Sequence, residues 1–250
     1  NLEVPTIANI SLGKPHGDQP LPESRGQIVI FTSGTTGLPK GAKRREPDDL
    51  KPLIAYFGAV PFTGNSTVIV AAPLFHSWGL LNYGFSQTTV PTVVLRRRFD
   101  PEQTLADIEK YKAKVLVVVP LMIQRLAALP DDVSSKYNVS SLQITASSGS
   151  ALPGDVPVKF MDKYTDSIYN FYGSTETSWV TIASPKDLRE APGTAGRIPW
   201  RTTVKILDSE GNELPTGEIG VIHVLNDMPF GGYTDGRSKA VHAGLIDTGD

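Results

Sequence analysis

Directly after a short apolar run, the segment Thr32-Ser33-Gly34-Thr35-Thr36-Gly37-Leu38-Pro39-Lys40-Gly41 gathers hydroxyls, glycines and one lysine. Phosphate oxygens need such donors. Glycines let backbone N–H groups approach an anion closely, Ser and Thr hydroxyls add further donors, and Lys40 supplies a compact positive charge. A Walker A loop places Ser or Thr directly after its lysine, whereas here Gly41 follows and the glycine spacing differs, which disfavours an ordinary P-loop NTPase or kinase. Composition alone leaves a second reading open, a solvated Gly/Thr turn.

In the order of its residues, Ile28 to Gly41 resembles the signature loop of the adenylate-forming superfamily, which includes acyl-CoA synthetases, amino-acid adenylation domains and luciferases. The resemblance implies that Thr32, Ser33, Gly34, Thr35, Thr36 and Lys40 handle the β- and γ-phosphates of ATP and the departing pyrophosphate. Later stations occur in the family's order. Asn170-Phe171-Tyr172-Gly173-Ser174-Thr175-Glu176 resembles the YGxTE motif. There Tyr172 offers a π-face to adenine, Thr175 a donor to the α-phosphate, and Glu176 a hard oxygen ligand for Mg²⁺. Taken alone, Glu176 reads more readily as an exposed carboxylate opening a helix. Asp247-Thr248-Gly249-Asp250 resembles the TGD motif, whose aspartate binds the ribose hydroxyls, and Ser147 to Pro153 resembles the segment passing beside adenine and acyl group. The implied nucleotide set thus adds Gly149, Ser150, Ala151, Asn170, Phe171, Gly173 and Asp250. Gly193 to Arg197 and Gly217 to Gly220 resemble structural glycine motifs and read as turns, and Lys43-Arg44-Arg45 reads as a solvated basic turn.

Pro73-Leu74-Phe75-His76-Ser77-Trp78-Gly79-Leu80 resembles the PLFHxxGL form of acyl- and aryl-CoA synthetases. Amino-acid adenylation domains usually carry an aspartate where His76 stands, to pair with the substrate's ammonium. The resemblance therefore implies an acid without an α-amino group, activated to acyl-AMP and passed to CoA. His76 borders its carboxylate, and Trp78, Gly149 and Gly173 contact the acyl part. Catalytic roles fall to Lys40, His76, Thr175 and Glu176. A fatty acid is the expected substrate, with Trp78, Leu80, Val117, Val118 and Trp179 as candidate tunnel walls. Aryl acids, an amino-acid adenylation domain and a non-catalytic nucleotide-binding module remain alternatives.

These stations need a scaffold. Strand signals lie at Gln27 to Phe31, Thr67 to Ala72, Thr92 to Leu95, Val115 to Val119, Gln143 to Ala146 and Ser167 to Phe171. Helix signals lie between them at Pro101 to Tyr111, Leu121 to Leu129 and Val156 to Tyr164. Alternation of this kind predicts an α/β fold with a covered sheet. From Gly193 onward, strand signals at Thr203 to Leu207 and Gly220 to Leu225 are separated by turn residues, which predicts a smaller antiparallel or barrel-like β unit. The expected division is 1–192 for the α/β core and 193–250 for the β unit. In the resembling family a hinge and a lysine-bearing C-terminal domain follow the TGD motif. The sequence ends at Asp250, so the resemblance implies poor adenylation without that domain.

Composition bounds the remaining classes. The 250 residues are 40% hydrophobic, enough for a sizeable core, and 24 basic against 26 acidic residues give a formal charge of -2. No global field favours nucleic acid or an anionic membrane. Absence of cysteine excludes disulfides and thiolate ligands, and the four histidines lack zinc-ligand spacing. No apolar run has the length a transmembrane helix requires. With no signal peptide at Asn1 to Pro5, and with ATP and CoA as reagents, a cytoplasmic location is expected.

Overall fold

The computed structural model describes residues 28–32, 40–44, 49–89, 92–228 and 230–250. Its main sheet is built from β3 (Val68–Val70), β4 (Val93–Leu95), β5 (Val115–Val118), β6 (Ile144–Ser147), β7 (Ile168–Ser174) and β8 (Ser178–Ala183), in the order β4-β3-β5-β6-β7-β8. The first five of these run parallel, and β8 returns antiparallel to β7. Parallel strands buried on both faces read as continuous apolar runs, which is why the VLVV of β5 is buried at every position.

Alternation along β5 decides which residue serves which layer. Leu116 and Val118 enter one core with Ile69, Ile168 and the helices α3 (Pro101–Tyr111), α4 (Pro120–Ala127) and α6 (Asp155–Lys163), through Leu105, Ile108, Ile123, Leu126 and Phe160. Val115 and Val117 enter the other with Tyr56 of α1 (Lys51–Ala59), Trp78 of α2 (Ser77–Thr89), Phe171 and Trp179. Each such large apolar side chain contributes about 1.5–3 kcal/mol by leaving water. Helix α3 matches its expected bounds because its signals are local. Asp100 caps it by accepting from the Gln103 N–H at 2.8 Å, Pro101 occupies the first turn, and Lys112 closes it in the left-handed region at φ 47°.

Two smaller antiparallel sheets complete the described residues. β1 (Ile28–Thr32), β2 (Lys40–Arg44) and β11 (Phe230–Tyr233) form one, in that order. β9 (Thr203–Leu207), β10 (Val221–Leu225), β12 (Val241–His242) and β13 (Leu245–Asp247) form the other, in the order β12-β13-β10-β9. Strand β11 comes from the last quarter of the chain and pairs with β2 from the first. Two short helices, α5 (Asp131–Ser134) and α7 (Pro185–Glu190), complete the helical elements described. Among the described residues no helix is long and apolar enough to cross a membrane.

The strand order reverses direction beside β3: the chain passes from β3 outward to β4, then back across to β5. In open parallel sheets the carboxyl ends of the strands flanking such a point leave a crevice. Residues following β3, β5, β6 and β7 all face that end.

Candidate active site

A cavity of about 1250 Å³ opens there. Ala72, Pro73, His76, Ser77 and Trp78 reach it from beyond β3, Val119 from beyond β5, Ser148, Gly149 and Ser150 from beyond β6, and Phe171, Gly173, Ser174, Thr175 and Glu176 from β7 and the turn after it. The hairpin of β1 and β2 roofs it with Thr32, Lys40 and Arg44. Thr32 and Lys40 are cross-strand partners, so the chain between them leaves and returns at the cavity's edge. Ser33, Gly34, Thr35 and Thr36 lie outside the described residues.

The wall carries four basic side chains, Lys40, Arg44, Arg237 and Lys239, against two acidic ones, Asp49 and Glu176. A concave, partly desolvated surface with that excess of positive charge suits a polyanion. Glu176 is only 8% exposed and receives the Tyr233 hydroxyl on Oε1 at 2.7 Å. Burial, and secondarily the Glu176 charge, hold the Tyr233 phenol neutral by pushing its pKa well above the ordinary tyrosine range. Lys40 Nζ lies 5.5 Å from the centroid of the same Tyr233 ring. Lys40, Tyr233 and Glu176 thus form one continuous group. Thr175 Oγ1 and Ser77 Oγ are 3.2 Å apart, which ties the turn after β7 to the start of α2.

Among the described residues no group of three or more His, Asp or Glu side chains could cage a metal by itself. A single buried carboxylate with one oxygen engaged by a phenol suits a magnesium ion that keeps its waters and takes its other ligands from phosphate oxygens.

A second cluster sits beside the first. Tyr172 donates its hydroxyl to Asp250 Oδ2 at 2.7 Å across 78 positions of sequence. Burial, then the Asp250 contact, push the Tyr172 phenol up to about 12. Asn170 is buried within β7, and its Oδ1, like the Oγ of its register partner Ser147, has no hydrogen-bond partner among the described residues. Unmet buried acceptors are uncommon, and they cluster where a ligand or water completes the structure.

Of the residues singled out from sequence, Thr32, Lys40, His76, Trp78, Gly149, Ser150, Phe171, Gly173, Thr175 and Glu176 line one cavity. Ala151, Asn170, Tyr172 and Asp250 lie outside its lining. Trp78 also serves the core, where its indole donates to the Val118 carbonyl at 2.9 Å. Of the expected tunnel walls, Leu80 and Trp179 reach the cavity while Val117 and Val118 are interior strand residues of β5. The basic-turn reading of Lys43-Arg44-Arg45 is corrected at Arg44, which ends β2 and turns into the cavity. Its place on the same strand face as Lys40, four residues earlier, was the available signal. Tyr233 offered none, since only the pairing of β11 with β2 brings it in.

The family described as AMP-binding enzyme matches residues 5–234, and the chain belongs to it. It is 30% identical over 230 residues to 4-coumarate–CoA ligase-like 8 of Arabidopsis thaliana, a match covering 89% of this chain and 42% of that protein. Feruloyl-CoA synthase of an Amycolatopsis species is 29% identical, with 88% of this chain and 44% of that protein covered. Among solved structures, the amide bond synthetase McbA from Marinactinospora thermotolerans superposes with a TM-score of 0.80 at 26% identity, over 89% of this chain and 45% of that one. ATP-bound MatB from Rhodopseudomonas palustris gives 0.75 at 27% identity, covering 89% and 44%. The chain therefore spans less than half the length of these relatives.

Proposed function

We propose that the protein activates a carboxylic acid with MgATP, forming acyl-AMP and pyrophosphate, and transfers the acyl group to CoA. One observation carries this reading. Lys40, Thr175 and Glu176, from distant parts of the sequence, meet His76 in a single basic-walled crevice at the carboxyl ends of the sheet.

Attack of a carboxylate oxygen on the α-phosphorus needs no side-chain nucleophile, so the protein's contribution is positioning and charge. Lys40 and the loop beside it spread the β,γ-phosphate charge, and the Thr175 hydroxyl donates to the α-phosphate. Glu176 would hold the magnesium ion, which draws phosphate charge toward itself. Tyr172 flanks adenine and Asp250 accepts from the ribose hydroxyls. His76, exposed just before α2, with its ring centroid 4.5 Å from that of Phe75 and tilted 46° to it, borders the incoming carboxylate.

Beyond the phosphate region the cavity is apolar, lined by Trp78, Leu81, Phe85, Trp179 and Met228. This wall suits an acid with an apolar body, of which a fatty acid is one form. An aryl acid is the second reading, favoured by the aromatic side chains in that wall and by relatives named for coumarate and ferulate. The relative named as a β-alanyl-bioamine nonribosomal peptide synthetase, from Drosophila melanogaster, keeps amino-acid activation as the rival, which His76 opposes. The full-length protein given ATP, Mg²⁺, CoA and a panel of fatty, aryl and amino acids should release pyrophosphate with the first or second class. Release with amino acids alone would reject this assignment, and no release with any acid would reject ligase activity.

A further inference from the structure

Arg44 has no role in the reading above, yet its guanidinium is among the most enclosed charges in the cavity wall. It leaves the end of β2 and donates Nη1 to the Thr175 carbonyl at 2.7 Å and Nη2 to the Ser178 hydroxyl. Those two acceptors bracket the turn between β7 and β8, which presents Thr175 and Glu176 to the cavity. Burial pulls Arg44 down to about 10, with the nearby Glu176 charge acting the other way, so it stays cationic at neutral pH.

The turn needs outside support. Ser178 is held at φ 61°, in the left-handed region that non-glycine residues seldom adopt, and the register of β7 with β8 shifts between Tyr172 and Gly173. Inside the turn the Ser174 and Thr177 hydroxyls bond, among the described residues, to each other and to turn amides. From the opposite flank Asn226 donates to the Thr177 and Trp179 carbonyls at 2.7 and 3.1 Å. Arg44 grips the flank facing the cavity. It also belongs to the strand that begins at Lys40, two pleats away on the same face.

We infer that Arg44 is a positioning residue that fastens the Thr175–Glu176 turn to the Lys40 strand, so that the groups meeting a magnesium-bound triphosphate keep one mutual geometry. Because it bridges two segments that touch the same ligand, its loss should weaken recognition of the triphosphate and leave recognition of the nucleoside intact. The inference rests on the nucleotide reading proposed above, and two independent measurements separate them.

The first is hydrogen exchange without ligand, comparing the unaltered protein with Arg44→Met and Arg44→Lys. Arg44→Met should speed exchange of the amides from Ser174 to Ser178 while leaving those of β5 unchanged, and Arg44→Lys should fall between. The second is calorimetric binding of MgATP and of adenosine. Arg44→Met should weaken MgATP by about tenfold, about 1.4 kcal/mol, with adenosine within about twofold. Unchanged exchange in the turn overturns the clamp. Parallel weakening of MgATP and adenosine also overturns it, since that marks a general packing role. An unaltered protein that binds no MgATP rejects the nucleotide reading, and exchange in the turn still decides the clamp.

Discussion

The Tyr233 hydroxyl donates to Glu176 Oε1 at 2.7 Å across 57 positions, so strand β11 holds one oxygen of the carboxylate on which metal binding is proposed to depend. Two substitutions separate the hydrogen bond from the charge. Glu176→Gln keeps an acceptor for the phenol and removes the negative charge. It should abolish the magnesium dependence of ATP binding while leaving thermal stability nearly unchanged. Tyr233→Phe keeps the charge and removes its donor, leaving a buried carboxylate oxygen unpaired. It should cost about 1.5 kcal/mol in urea unfolding. A Glu176→Gln variant whose ATP affinity still rises with magnesium as it does in the unaltered protein would remove Glu176 from the metal site.

Gly173 shows why β7 tolerates no side chain just before its closing turn. A Cβ at this position would lie 1.7 Å from the Ser178 carbonyl oxygen, a backbone atom that cannot rotate away. Gly173→Ala should therefore displace β8 from β7, destabilise the fold by about 3 kcal/mol and remove MgATP binding. A variant with unaltered melting and affinity would show that the turn is plastic, contrary to its packing.

How far the sequence foretold this site depends on the range of the forces involved. Helix α3 and strand β9 match their expected spans because caps and apolar runs act locally. Helix α2 was not expected: its Gly79, Asn82 and Gly84 lack helical propensity, and only packing of Trp78 and neighbours against β3 and β5 makes it helical. The same holds for β2, whose KGAKR has turn-like chemistry and becomes a strand through pairing with β1 and β11 on either side. Lys40 was singled out by residue type and by its place in the Gly/Thr-rich segment, and the structure puts it in the cavity wall. Arg44 and Tyr233 were not, because each matters through a partner far along the chain.

Ser77 and Thr175 offer a test of whether the two sides of the crevice act together. Their hydroxyl oxygens are 3.2 Å apart, joining the segment that carries His76 to the turn that carries Glu176. Ser77→Ala and Thr175→Ala should each weaken MgATP binding. The double variant should fall short of their sum by about 0.5 kcal/mol or more, the coupling expected of residues in contact. Strict additivity would show the hydroxyls to be independent.

The Tyr172 and Asp250 pair makes a prediction with a defined sign in alkaline solution. Tyr172 is pushed up to about 12 by burial and by the Asp250 carboxylate, against about 10 for a tyrosine in the unfolded chain. A group with a raised folded-state value favours the fold fully below its unfolded pKa. As pH climbs from about 10 to about 12, the unfolded chain releases a proton that the folded chain retains, and stability falls. Tyr56, Tyr164 and Tyr233 are raised too and share this sign, so total loss of stability cannot be ascribed to one phenol. The difference between the unaltered protein and Tyr172→Phe isolates it. Urea midpoints should fall more steeply in the unaltered protein than in Tyr172→Phe across that window and run parallel below it. Asp250→Asn, which retains an acceptor without the charge, should lie closer to Tyr172→Phe, because deprotonation then no longer sets two negative groups in contact. Parallel curves for all three proteins up to about pH 12 would mean that the phenol titrates alike in folded and unfolded chains, and that the pair contributes nothing to the fold through its proton.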